Sequence, residues 1–386
     1  MKASVPARPL CALLMVIAAI VSAPAIICAQ GISQDDYSAL KWRMIGPYRA
    51  GKANAIAGVP GNSSVYYFGA DGGGVWKSTD SGNVWKPIFD DQPVGSIGAL
   101  ALAPSNPKII YVGSGVNGVY SDIAYGNGMY KSTDSGETWQ HIGLEDTRHV
   151  ARILIDPRNP DVVLVAALGH SFGANEERGV FRSVDGGKSW KKVLYKDNLT
   201  GAVDLCFEPG NPRVVYATLW QGIRKPGQKG TSFGPGSGLY KSTDAGLTWT
   251  QITAHGLPSG EWGRSGVAVA AGMRGRRVYL ILEAKEKSSG LYRSDDAGAT
   301  WQRATEDPRI KGYWYMSEIT ADPQNPDVLY VPTQSLYRST DGGHTFTAIK
   351  GAPGGDDYHT VWIDPQNRNT ILLGSDQGAT LSDSAI

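Results

Sequence analysis

From residue 53 onward the chain is written in short apolar and aromatic stretches separated by polar, glycine-rich turns, and the pattern repeats. The frame Ser-x-Asp-x-Gly-x-x-aromatic occurs six times, beginning at Ser78, Ser132, Ser183, Ser242, Ser294 and Ser339, with spacings of 54, 51, 59, 52 and 45 residues. A piece such as Gly128-Met129-Tyr130-Lys131 or Gly238-Leu239-Tyr240-Lys241 precedes each frame, and an alternating piece such as Trp139-Gln140-His141-Ile142 follows it. Two strands therefore flank every frame. Within it the Asp carboxylate accepts backbone N–H groups and the Gly supplies a positive φ, the chemistry of a tight hairpin turn. Asp80, Asp134, Asp185, Asp244, Asp296 and Asp341 are accordingly read as structural.

A second marker sits upstream of the frames: Ala103-Pro104-Ser105-Asn106-Pro107, Asp156-Pro157-Arg158-Asn159-Pro160, Glu208-Pro209-Gly210-Asn211-Pro212, Asp322-Pro323-Gln324-Asn325-Pro326 and Asp364-Pro365-Gln366-Asn367. These turns join an apolar strand before them to another after them. Each repeat is thus four strands, A to D, with the proline turn between A and B and the Ser-Asp-Gly turn between C and D. Four strands in ~50 residues make one blade of a β-propeller. Counting from Ala53–Val59 gives six blades, and a seventh starts at Val361-Trp362-Ile363 and stops after Gly378 to Ser382 without a D strand. The expected fold is all-β, a seven-bladed β-propeller of four-stranded blades. Because Trp42-Arg43-Met44-Ile45 follows the D-strand pattern, Leu40 to Gly46 is expected to close the last blade.

The first 29 residues differ in kind. Lys2 and Arg8 precede an apolar run from Leu10 to Ile27, which reads as a secretory signal peptide cut after Ala25 or Ala29. The domain plan is a signal over residues 1–29 and a single propeller over 30–386, with the first part of a longer protein as the alternative. The product is expected outside the cytoplasm, secreted or periplasmic, without a membrane span and as a monomer. Acylation of Cys28 is a weaker alternative, since bulky Ile27 stands where lipoprotein processing wants a small residue. Cys206 alone remains beyond the signal; it excludes an internal disulfide and is read as a buried small hydrophobe on strand A of blade four. The whole chain carries 37 Lys+Arg against 36 Asp+Glu, so no large basic face exists for a phosphate backbone, and nucleic acid is excluded as a partner. Glycines such as Gly72 to Gly74 fall between strands with no helix after them, so there is no phosphate loop and no cofactor is called.

The Ser-x-Asp-x-Gly-x-Thr-Trp frame resembles the Asp-box, or BNR repeat, of sialidases, xyloglucanases, photosystem assembly factors and the Vps10 domain of sortilins. Segments such as Trp42-Arg43-Met44-Ile45-Gly46-Pro47 and Gly179-Val180-Phe181-Arg182-Ser183 are similar to exported bacterial proteins of the sortilin N-terminal type. The resemblance implies the propeller; it implies function far less, because that superfamily holds both hydrolases and binding scaffolds. Sialidase likeness would bring an Arg-Ile-Pro motif, where Tyr48-Arg49-Ala50 is no match. Xyloglucanase likeness would bring a catalytic Asp in a Thr-Asp-x-Gly-Gly-Ala-Tyr-like segment, which Ala70-Asp71-Gly72-Gly73-Gly74-Val75-Trp76 matches in part. Such enzymes resemble a two-propeller clamp whose second carboxylate comes from the other propeller, and a glycosidase needs two carboxyl groups about 5 to 9.5 Å apart.

In a propeller the B–C and D–A loops share one face, and here they are long and varied. They carry Tyr120, Tyr125, His170, Trp220 and Arg224, then Arg148 and His149, Trp262 and Arg264, Tyr313, Trp314 and Tyr315, and Asp356, Asp357, Tyr358 and His359. Aromatic side chains mixed with Arg, His and Asp suit a sugar ring or an extended peptide, against the plainer reading that they cap blade ends by packing. Asp357 and His359, two apart, are expected on one side of an extended segment facing the channel; with His149 they make a weak metal set, and no metal is called. The leading expectation is a non-catalytic binding module for a polypeptide or a polysaccharide. The alternative is a glycoside hydrolase, or a fragment of one, using Asp71 or the Asp356/Asp357 pair.

Overall fold

The computed structural model describes residues 51–118, 124–225, 228–253, 255–285, 287–313, 315–351 and 357–383. The leader over residues 1–29 with Cys28, the closing segment Leu40 to Gly46, and Tyr120, Trp314 and Asp356 lie outside the described residues.

From Gly51 onward the described chain winds seven antiparallel blades, six of four strands and a seventh of three, each in sequence order. Blade one runs Ala53–Val59, Asn62–Ala70, Gly74–Ser78 and Lys86–Pro87, and blade seven runs Tyr358–Ile363, Ile371–Ser375 and Gly378–Ser382. The A strands meet their neighbours' A strands around a central channel, and blade one meets blade seven. This is a seven-bladed β-propeller. The one helical element among the described residues is a 3-10 turn at Glu145–Thr147, so no helix there is long and apolar enough to cross a membrane.

Burial explains the ring. Successive residues of a strand face opposite sides of its sheet, so each blade feeds two seams: Tyr66 packs toward blade seven while Tyr67 packs toward blade two. Every seam has its own apolar core; that between blades two and three joins Tyr111, Met129 and Ile142 to Ile153, Val165 and Phe181. The seam from seven to one is as real as the others, with Trp362 edge-on to Tyr66 at 6.2 Å and the Gly61 N–H donating to the Asp364 carboxylate at 3.1 Å. Gly58 is required there, because a Cβ on it would lie 2.3 Å from the Trp362 indole.

The repeated frame builds one turn six times. In blade two Ser132 Oγ donates to Asp134 Oδ1 at 2.7 Å and accepts the Gly136 N–H at 2.8 Å, while Asp134 takes the Thr138 N–H and hydroxyl at 2.9 and 2.5 Å. These bonds hold the Asp134 carboxyl down at about 2. Blade one has Val84 where the others have Thr or Ser, so Asp80 keeps only the Ser78 and backbone bonds. A basic residue always precedes the frame's serine, and it ties blade to blade: Lys77, Lys131, Arg182, Lys241 and Arg293 each donate to the carbonyl just after the next blade's frame aspartate.

Two features differ from expectation. Blade four's B–C loop contains a small hairpin, Ile223–Lys225 paired with Gln228–Thr231. Cys206 is half-buried rather than fully buried, against the core between blades four and five.

Candidate functional site

The A strands carry charge where apolar residues would be expected. Arg152 of blade three donates to Asp204 of blade four at 2.8 Å and lies 3.6 Å from Glu318 at the entry to blade six. Asp204 also accepts the Val267 N–H of blade five at 2.9 Å, so one carboxylate joins three blades. Burial pushes the Glu318 carboxyl up, with Arg152 opposing it. Arg152 and Glu318 line a cavity of about 30 Å³ with Asn54, Gly98 and Thr360. Nearer the loops, the buried Arg264 of blade five spans to blade two, donating Nη1–H to Asn117 O at 2.6 Å and Nε–H to Ser317 Oγ at 3.0 Å. These bonds brace the blades across the channel.

On that face the candidates separate into groups. Trp262, Trp220 and Tyr358 are buried: Trp262 Nε1 donates to Pro258 O, Trp220 Nε1 to Ser232 O, and the Tyr358 N–H to Thr333 O. Tyr313 is 38 % exposed, with the Lys311 ammonium 5.1 Å from its ring centre. Arg224 sits in the added hairpin with its N–H on Ser171 O at 2.7 Å. Asp71 lies in the B–C turn of blade one and accepts Ser96 Oγ–H at 2.9 Å.

The expected alignment of Asp357 with His359 is corrected. Asp357 has φ +46°, which breaks the extended path, and the strand starts at Tyr358. His359 instead meets Asp376, from the B–C turn of its own blade, at 2.7 Å. His149 belongs to the loop between blades two and three, and no group of three ligating side chains forms among the described residues.

Around His149 the structure is dense. Its ring is fully buried, neither nitrogen has a hydrogen-bond partner of ordinary geometry, and burial drives its pKa down to about 4, with His170, Arg178 and Arg148 adding repulsion. Tyr125 lies over it at 5.2 Å between ring centres. Asp146 Oδ1 meets both Arg148 Nε at 3.1 Å and His170 Nε2 at 3.0 Å. Beneath, the buried Arg178 fork donates to the carbonyls of Leu168, His170 and Gly173 and fixes the next loop from inside.

One contrast was missed from sequence. The exposed aromatics among the described residues are Tyr125, Phe172, Tyr195 and Tyr313, at 47, 39, 42 and 38 %. All four stand on B–C or D–A loops. The opposite face, with the Ser-Asp-Gly turns, exposes only the aliphatic Val84, Val184 and Leu247 among large apolar residues. The sequence signal was present in the loop lengths, but Phe172 and Tyr195 were passed over.

Fold and face together define a β-propeller with a one-sided aromatic loop surface. Compared with known proteins, residues 73–203 match the Sortilin-Vps10 family (sortilin, neurotensin receptor 3). The xyloglucanase Xgh74A of Acetivibrio thermocellus is 25 % identical over 86 % of this chain and 42 % of its own length; a xyloglucanase from Paenibacillus sp is 25 % identical over 57 % and 23 %. This chain thus spans less than half the length of the curated relatives it matches. Among solved structures, a GH74 xyloglucanase from Xanthomonas campestris superposes with TM-score 0.62 at 19 % identity, covering 89 % of this chain and 54 % of that one. YCF48 bound to D1 peptide superposes with TM-score 0.55 at 13 % identity, covering 86 % and 93 %. These likenesses carry the fold.

Proposed function

We propose that this propeller is an exported glycan-recognition module that lays an extended β-glucan across its B–C and D–A loops and does not cleave it. The observation that carries the reading is the confinement of Tyr125, Phe172, Tyr195 and Tyr313 to one face. Exposed aromatic rings give a sugar's C–H face a flat apolar surface at little entropic cost, and their polar neighbours orient the hydroxyls. The xyloglucanase relatives support a β-glucan as the polymer. Binding without cleavage is supported by the state of Asp71, whose carboxylate is engaged by Ser96 in a tight turn.

The test is calorimetric titration of the purified protein with xyloglucan, mixed-linkage β-glucan and cello-oligosaccharides, alongside reducing-end release. Expected are binding to at least one polymer, no release, and at least ~10-fold weaker binding when Phe172, Tyr195 and Tyr313 are changed together to Ala, about 1.4 kcal/mol. Changing Val84, Val184 and Leu247 to Ala should leave affinity untouched. Absence of binding to every glycan refutes the reading. Release that disappears in Asp71→Asn or Asp357→Asn replaces it with a glycoside hydrolase.

A further inference from the structure

We infer that the described residues of the adjoining loops of blades two and three form a subsite for one neutral pyranose unit, with Tyr125 as its platform. The inference rests on the glycan reading and deepens it by assigning a place and a sugar chemistry. Tyr125 is 47 % exposed, yet it is not a loose surface side chain: its ring packs against the buried His149 at 5.2 Å with a 44° tilt and meets Phe172 in a T-shaped contact at 6.5 Å and 74°. A platform backed by a buried ring on one side and walled by a second aromatic presents an apolar shelf about the size of one sugar ring.

The rim supplies the polar half. Arg148 and His170 share the single Asp146 carboxylate oxygen, at 3.1 and 3.0 Å, so donors and an acceptor stand side by side with their charges already opposed. A hydroxyl both donates and accepts, and two adjacent hydroxyls fit such a mixed rim. A uronate carboxylate would have to compete with Asp146 for the Arg148 and His170 donors, which Asp146 already occupies. The ordering is prepaid by the fold. The Asn175 side chain holds the His170 N–H at 2.9 Å and reaches Asp146 O at 3.2 Å, linking the two loops that carry the rim. Arg148 is further fixed in the left-handed region at φ +58°. Preorganised loops of this kind lose little freedom when a ligand arrives.

The experiment compares the wild type with Tyr125→Ala, Tyr125→Phe and Asp146→Asn in titrations with xyloglucan oligosaccharide, cellohexaose and oligogalacturonate, with thermal unfolding to confirm that each variant is folded. Expected are at least tenfold weaker binding of the neutral oligosaccharides for Tyr125→Ala, retention within about threefold for Tyr125→Phe, and no binding of oligogalacturonate by the wild type. Asp146→Asn is expected to weaken neutral binding several-fold. Neutral binding by the wild type that survives Tyr125→Ala unchanged overturns the subsite while leaving the glycan reading standing. Absence of glycan binding by the wild type removes both, and tighter binding of oligogalacturonate than of the neutral oligosaccharides overturns the sugar assignment.

Discussion

The buried His149 makes the stability of this propeller acid-sensitive between its unfolded and folded pKa values. In the unfolded chain its imidazole takes a proton near its ordinary value of 6.5, but in the fold it resists until about 4. Between these values the unfolded state holds more protons, so acidification favours unfolding. The contribution is fully present above pH 6.5, falls as the pH drops through the window, and stops falling below pH 4. With 1.36 kcal/mol per pKa unit, the loss is about 3 kcal/mol by pH 4. No discount for solvent applies, since the ring is wholly buried. The comparison is with His149→Phe, which keeps a ring under Tyr125 and removes two nitrogens that have no hydrogen-bond partner of ordinary geometry.

Urea unfolding at pH 7.5, 6.5, 5.5 and 4.5 measures the difference between the two proteins. Burial raises the Glu283 and Glu318 carboxyls, which costs stability as the pH rises through the carboxylate range, the opposite sense. Those terms are present in both proteins and cancel in the difference. At pH 7.5 the variant should lie within about 1.5 kcal/mol of the wild type, because swapping a buried polar ring without hydrogen bonds of ordinary geometry for an apolar one of similar shape is nearly neutral. Below pH 6.5 it should gain on the wild type by up to about 1.4 kcal/mol per unit. Parallel curves would show that His149 does not carry a depressed pKa, and with it that the ring beneath Tyr125 is not sealed from water.

Two further substitutions separate the scaffold from the face. Ser132→Ala leaves the buried Gly136 N–H without its acceptor and Asp134 without a donor, so urea unfolding should show a loss of about 1–3 kcal/mol with unchanged glycan affinity. Arg264→Met keeps the length of the side chain but removes the bonds to Asn117 O and Ser317 Oγ across the channel; amide exchange at residues 115–118 should rise, and protection confined to wild-type levels there would remove Arg264 as the brace.

What the sequence disclosed follows from how local its rules are. A strand read as Ala53–Val59 is Ala53–Val59, and the last one read as Gly378 to Ser382 is found there, because turn chemistry and alternation act over a few residues and then repeat. The basic residue before each frame serine was equally regular in sequence, yet its purpose is a contact with the next blade, 49 to 63 residues away, which no local pattern displays. The loop aromatics were harder for the same reason. Trp262 and Tyr358 are covered by neighbouring blades, whereas Phe172 and Tyr195 are not, and composition is blind to that difference. Arg152 and Asp204 stood in plain view as charges inside apolar A strands, a mark of a paired interior site.

The two faces then obey different physics. Below, six near-identical turns satisfy their own hydrogen bonds and, of the large apolar side chains described, leave only aliphatic ones in water, so a change there acts on stability. Above, loops of unequal length are held by buried cations rather than by the repeat: Arg178 gathers carbonyls within its own loop, and Arg264 reaches a segment 147 residues distant. On the glycan reading, ligand chemistry is set by side chains such as Tyr125 and Phe172 that the repeat leaves free to vary. Stability and affinity should therefore be separable by mutation: frame serines should move the unfolding midpoint alone, and loop aromatics the dissociation constant alone. A frame substitution that weakened binding in a fully folded protein would break that division, and would place the ligand on the turn-bearing face.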